Sequence, residues 1–146
     1  MKALRNCWLG VVGFALVMLL SCSGGDSPTE PSPLADSVVI ESISPPQRDP
    51  LSAGSQVTFQ ARVRYGLASA DSGRILMVIQ DQFSRNISPT VPQPSAPILR
   101  GTGTAELSDT ITVPASGVTS VHVFLPLLPA GSTSTSVVQS VTYSVR

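Results

Sequence analysis

Cysteine is scarce in this 146-residue chain, which has two, Cys7 and Cys22, and charge is scarce as well, with Asp, Glu, Lys and Arg making up 12% of residues. There is one histidine, His122, and one tryptophan, Trp8. Each shortage excludes some chemistry. One histidine and almost no thiol cannot supply the nitrogen and sulfur ligands of a zinc site. Calcium needs clustered oxygen ligands, whereas Asp71, Asp81 and Asp109 are scattered and read as surface acids. A Ser-His-Asp set can be drawn with His122 and Asp109, but no Gly-x-Ser-x-Gly elbow occurs. His122, between Val121 and Val123, reads as an outward strand residue. The run Gly101-Thr102-Gly103-Thr104-Ala105-Glu106 starts like a dinucleotide fingerprint but lacks the third glycine and the following helix, so it reads as a turn or a glycine-softened strand. With no basic patch, nucleic acid is not an expected partner. The chain therefore predicts no metal, no cofactor and no catalytic site.

What is present begins at the N-terminus. Lys2 and Arg5 give a short basic start, and Cys7 to Leu20 is almost wholly apolar. That run of about 14 residues is too short for a bilayer core, which needs roughly 20. A basic start, a short apolar run and small residues after it make a secretory signal. Its end, Leu19-Leu20-Ser21-Cys22, resembles the bacterial lipobox: a branched residue, a variable one, a small one, then cysteine. An ordinary signal peptide with a chance cysteine is the plainer alternative. The resemblance implies that the Cys22 thiol receives diacylglycerol, that residues 1–21 are removed, and that lipid on Cys22 holds the mature chain to a membrane. Several acyl chains make a stable anchor where one is marginal. Ser23, rather than an aspartate, follows the cysteine, which by the same resemblance implies sorting to the outer membrane.

After processing at Cys22 the chain would carry seven arginines against nine acidic residues, a net charge of −2. It would have no tryptophan and no intramolecular disulfide despite an oxidising compartment. Stability then has to come from packing and strand pairing. Residues 22–36 include three prolines among Ser, Gly, Asp and Glu and have little to bury, so they read as a flexible linker.

From Ser37 the pattern changes to short alternating runs. Val38 to Ile43 reads as a strand, stopped by Pro45-Pro46. Ser55 to Tyr65 alternates most clearly, with Val57, Phe59, Ala61, Val63 and Tyr65 on one face and Thr58, Gln60, Arg62 and Arg64 on the other; one face is buried and one wet. Gly66 to Gly73 reads as a loop. Arg74 to Gln80 reads as a central strand, and Phe83 to Pro97 as a long loop. Ile98 to Arg100 reads as a short edge strand and Thr104 to Val113 as a strand in which Asp109 breaks phase, suggesting a bulge or an exposed stretch. Val118 to Leu125 is a strand, Pro126 to Gly131 a turn, and Val137 to Val145 the last strand.

About seven strands, turns every 8 to 15 residues and no helix predict an all-β, antiparallel Greek-key β-sandwich over residues 37–146. The domain resembles bacterial immunoglobulin-like or fibronectin-type-III-like modules, without the paired cysteines and core tryptophan of true immunoglobulin domains. A small barrel is the alternative.

Two stretches are candidates for binding. The first is the long loop, with Phe83, Arg85 and Asn86 near its start, since loops on a rigid sandwich often carry recognition. The second is Phe124-Leu125-Pro126-Leu127-Leu128-Pro129, unusually apolar for a turn. There Phe124 is expected outward beside His122, with the prolines carrying Leu127 and Leu128 off the sheet. Asn86-Ile87-Ser88 matches a glycosylation sequon, a signal seldom read in bacteria. The functional expectation is a non-enzymatic, lipid-anchored binding or scaffolding module of the cell envelope, with an envelope protein or polymer as partner. The alternative is an accessory module or small hydrolase acting on envelope or extracellular polymers. Carbohydrate binding would need exposed aromatic platforms, and Phe59, Tyr65 and Tyr143 are expected in the core.

Overall fold

The computed structural model describes residues 35–146, so the leader, the lipobox and most of the linker lie outside the described residues. These residues form an all-β domain of six strands rather than seven: β1 (Ser37–Ser44), β2 (Gln56–Leu76), β3 (Val78–Asp81), β4 (Ser95–Thr112), β5 (Ser120–Pro129) and β6 (Val137–Ser144). All the ladders are antiparallel, in the order β1-β2-β5-β3, with β4 also on β2 and β6 also on β5. The sheet does not close. β2 carries the chain from one layer to the other: its first half pairs with β1, and residues 73–75 pair with β5. The Phe59 ring of β2 meets the Tyr143 ring of β6 at 5.2 Å between centroids, although the two strands are not sheet neighbours. That contact joins the inner faces of the layers, as in a sandwich.

The alternation read from Ser55 to Tyr65 holds. Phe59 and Val63 are fully buried and Ala61 nearly so, while Thr58, Gln60, Arg62 and Arg64 face solvent. On that wet face Thr58 and Thr110 share a hydrogen bond of 2.8 Å, and Arg62 lies 3.2 Å from Glu41 and 3.6 Å from Glu106. These pairs are solvated and contribute little to stability.

One expected loop is strand. Gly66 to Gly73 lies within β2, where the register with β4 shifts between Leu67 and Ser72. The extra residues form a bulge that bends β2 between layers. Opposite it, Gly101 adopts φ +108°, and Asp71 pairs with Arg100 at 3.0 Å. The residues Ala68 to Asp71 look like a loop because they are small and polar, yet the ladder around them continues. In the same way the two strands expected at Ile98 to Arg100 and from Thr104 on are one strand, β4, which ends at Thr112. Its Gly103 is covered by the Tyr65 ring, whose hydroxyl would stand 2.7 Å from any added Cβ. The Gly-Thr-Gly run is thus the glycine-softened strand.

The turn expected at Pro126 to Gly131 is also strand, through Pro129. β5 pairs with β3 up to Phe124↔Val78 and with β2 from Leu127↔Ile75. The two registers are in phase, so that continuing either one sets Pro126 opposite Leu76. Proline has no N–H to donate there. One ladder bond is missing, and the partner strand is interrupted at Met77, where β2 ends and β3 begins. Pro126 breaks a bond without turning the chain off the sheet.

Candidate functional site

The long segment after β3 is tied at both ends and along its length. Its backbone runs beside the outer edge of β3: Arg85 accepts from the Asp81 amide at 3.0 Å, Ile87 donates to Ile79 at 3.0 Å, and Met77 donates to Pro94 at 2.9 Å. Two carboxylates finish the attachment. Asp81 continues the inward phase of Ile75, Met77 and Ile79 and is 2% exposed. Its Oδ1 accepts from the Phe83 and Arg85 amides at 2.8 and 3.0 Å, and its Oδ2 meets Arg85 Nε and one terminal nitrogen, each at 2.6 Å. Asp109, on β4, accepts from the Ser88 and Thr90 hydroxyls.

The reading of these two acids as surface residues is therefore overturned. Asp109 is 4% exposed, sits in register opposite Phe59 and causes neither a bulge nor an exposed stretch. The signal was in the alternation itself: Leu107, Asp109 and Ile111 share one phase, and so do Ile79 and Asp81. A buried carboxylate needs hydrogen-bond donors, and the Ser- and Thr-bearing loop supplies them.

What the loop presents follows from this anchoring. The Arg85 guanidinium, fixed by Asp81, lies 5.0 Å from the centroid of the Phe83 ring. Phe83 is 62% exposed. The contact has cation–π geometry, and aromatic residues and arginine are both enriched at protein interfaces. Asn86 is placed differently: its Oδ1 accepts from the Ser88 amide at 3.0 Å, so its side chain shapes the loop. Val91, farther along, is 88% exposed.

The second candidate stretch divides. Phe124 points outward, half-buried, with its ring stacked on His122 at 6.1 Å and 26°. Leu128 is half-buried on the same outer face, opposite Arg74. Leu127 is fully buried. It belongs to the core and is not available to a partner, because β5 stays in the sheet and keeps its alternation. His122 lies between the Ser120 hydroxyl (3.2 Å) and the Thr142 hydroxyl (3.0 Å). The structure does not bring it together with Asp109, whose carboxylate is engaged by the loop. Among the described residues no group of three or more His, Cys, Asp or Glu could hold a metal ion.

One further acid marks where the chain joins the domain. Asp36, assigned to the linker by composition, accepts from the Ala68 and Ser69 amides at 2.8 and 3.0 Å and from the Ser69 hydroxyl at 2.6 Å. The folded unit therefore takes in Asp36. Burial pushes its carboxyl upward, but hydrogen bonds from Ser136, Ser69 and Ala68 outweigh that and hold it well below the ordinary carboxylate range. Burial opposes the shift at Asp81 too, and the Arg85 guanidinium with the loop amides again lowers the carboxyl. Groups depressed in the folded state bind fewer protons there than in the unfolded chain. Their stabilisation is complete well above the unfolded value of about 3.9 and is lost as pH falls below it. Urea midpoints measured between pH 7 and 3 should be flat, as far as these groups contribute, above about pH 5 and should drop below about pH 4. Asp36→Asn with Asp81→Asn should flatten that drop; an unchanged acid limb would show that neither clasp forms in solution.

No family model matches the sequence, and no curated protein matches it.

Proposed function

We propose that this chain is a non-catalytic binding or scaffolding module of a bacterial cell envelope, anchored by lipid on Cys22 and sorted to the outer membrane, with the Phe83–Arg85 loop as its recognition surface. The observation that carries this reading is the buried Asp81 carboxylate, spent on fixing an exposed aromatic-cation pair. A loop ordered in advance loses less entropy on binding.

The two ends of β5 give the module a direction. Gln82, next to Phe83, bonds Gly117 and Thr119 just before β5 starts. Asp36 is bound beside Ser136, which precedes β6 and donates to Leu127 near the other end of β5. Nine strand steps separate these ends, about 30 Å at the usual rise. Asp36 thus lies toward one end of the domain, and Phe83 stands at the other.

The anchor is tested by mass spectrometry and fractionation. Wild-type protein should carry acyl mass on Cys22 and partition into detergent, and Cys22→Ala should stay unprocessed by the lipoprotein peptidase and leave the detergent phase. Wild-type protein without acyl mass would end the lipid reading. For the loop, a photoreactive phenylalanine analogue at position 83 of the anchored chain should give a discrete envelope adduct that Arg85→Ala weakens. The same analogue at Thr58, on the wet face of β2, should give none. Equal labelling from both positions would remove the loop from consideration.

A further inference from the structure

The strand edges of this domain are not alike. The outer edge of β3 is covered by residues 85–94. β1 is interrupted by a register shift between Ile40 and Ser42, at Glu41, and the outer face of β4 carries Glu106. Bulges, charges and covering segments are the usual devices that keep a free edge from pairing with another chain. β6 has no bulge and no charge, and the segment around Leu51 covers its outer edge only at the last residue, Ser144. Its sequence, Val-Val-Gln-Ser-Val-Thr-Tyr-Ser, contains no charge and no proline, and its ladder with β5 runs from Ser144 to Val137 without a shift.

The register shows which groups remain open. Val145 donates to Thr119, so the odd-numbered residues of β6 direct their N–H and C=O toward β5. Val138, Ser140 and Thr142 then direct theirs to the outer edge, and no backbone partner among the described residues meets them there, whereas Ser144 is engaged by the Leu51 amide. The side chains of the same three residues lie exposed on the outer face. Val138 is 49% exposed.

We infer that β6 is a homodimerisation edge, pairing antiparallel with β6 of a second copy about a two-fold axis at Ser140. The strand is complementary to itself in that arrangement. Val138 falls opposite the partner's Thr142 and Ser140 opposite the partner's Ser140, each pair closing two N–H···O bonds. No like charges meet, and the aliphatic Val138 packs against the Thr142 methyl across the seam. A two-fold contact of this kind closes on itself and leaves no edge for further growth. It joins two β5–β6 sheets into one and leaves the Phe83 loop of each copy free.

The test uses the full-length chain in its membrane. Residues opposite each other in a hydrogen-bonded antiparallel pair lie about 5.5 Å apart at Cα, within the range of roughly 4.4–6.8 Å that a disulfide spans. Mild oxidation of Ser140→Cys should give a covalent dimer of this chain at several times the yield from the parent chain and from Thr58→Cys. Ser140→Lys places two like charges on the axis and should convert the detergent-solubilised protein from dimer to monomer in sedimentation, with its far-ultraviolet circular dichroism spectrum unchanged. Cross-linking no better than Thr58→Cys, a dimer that survives Ser140→Lys, or a covalent adduct to a different protein would each overturn the proposal.

Discussion

Replacing Phe59 by alanine should lower the unfolding free energy by about 3–5 kcal/mol. The side chain is fully buried, its ring meets Tyr143 across the two layers at 5.2 Å, and the chain around it is sheet on every side. Removing the ring leaves a cavity that strands held by ladders cannot close, so the lost contacts add to the lost transfer energy. Tyr143 is the other half of the contact. Its hydroxyl donates to the Pro45 carbonyl at 2.8 Å, and burial pushes its ionisation up to about 12, so the ring stays neutral and in place. Equilibrium unfolding in urea measures the change; a loss below about 1 kcal/mol would mean that the two layers do not meet through this pair.

Leu127→Ala should cost about 2–5 kcal/mol, whereas Leu128→Ala should cost less than about 1 kcal/mol. The adjacent leucines differ because β5 remains a strand beyond Pro126. Leu127 is fully buried against the core, opposite Ile75, while Leu128 lies on the outer face opposite Arg74. Had the prolines turned the chain away, the two residues would share a loop and respond alike. Comparable losses for both variants in urea unfolding would therefore restore the turn and remove the continuous β5.

The order of the loop comes from the core. Phe83 and Arg85 are held at the surface by the buried Asp81 carboxylate, and Ser88 and Thr90 are held because Asp109 accepts from both. Both carboxylates lie on inward phases of strands, so the core that stabilises the domain is also the platform that sets the loop. β6 contributes in a different way, through backbone groups that the domain itself leaves without a strand.

Several properties were legible in the residues alone because they depend on local patterning. The alternation of Val57 to Tyr65 against Thr58 to Arg64 determined which face of β2 is buried, since a period of two leaves no other choice. The same pattern determined that the domain is all-β and placed Phe124 outward beside His122. Phe83 and Arg85 stood out because exposed aromatic and basic residues in a Pro- and Ser-rich stretch have little to pack against.

Tertiary structure alone decided the rest, because each outcome depended on a partner distant in sequence. Gly66 to Gly73 is strand since β4 lies alongside it, and small polar residues carry no sign of that neighbour. Pro126 stays in the sheet since its missing N–H falls where only one bond is lost, a fact set by the registers of β2 and β3 on β5. Asp81, Asp109 and Asp36 are bound rather than free since loop and bulge donors reach them. A carboxylate on an inward phase is a warning that the sequence does contain; which hydroxyls and amides answer it is decided only when the chain has folded.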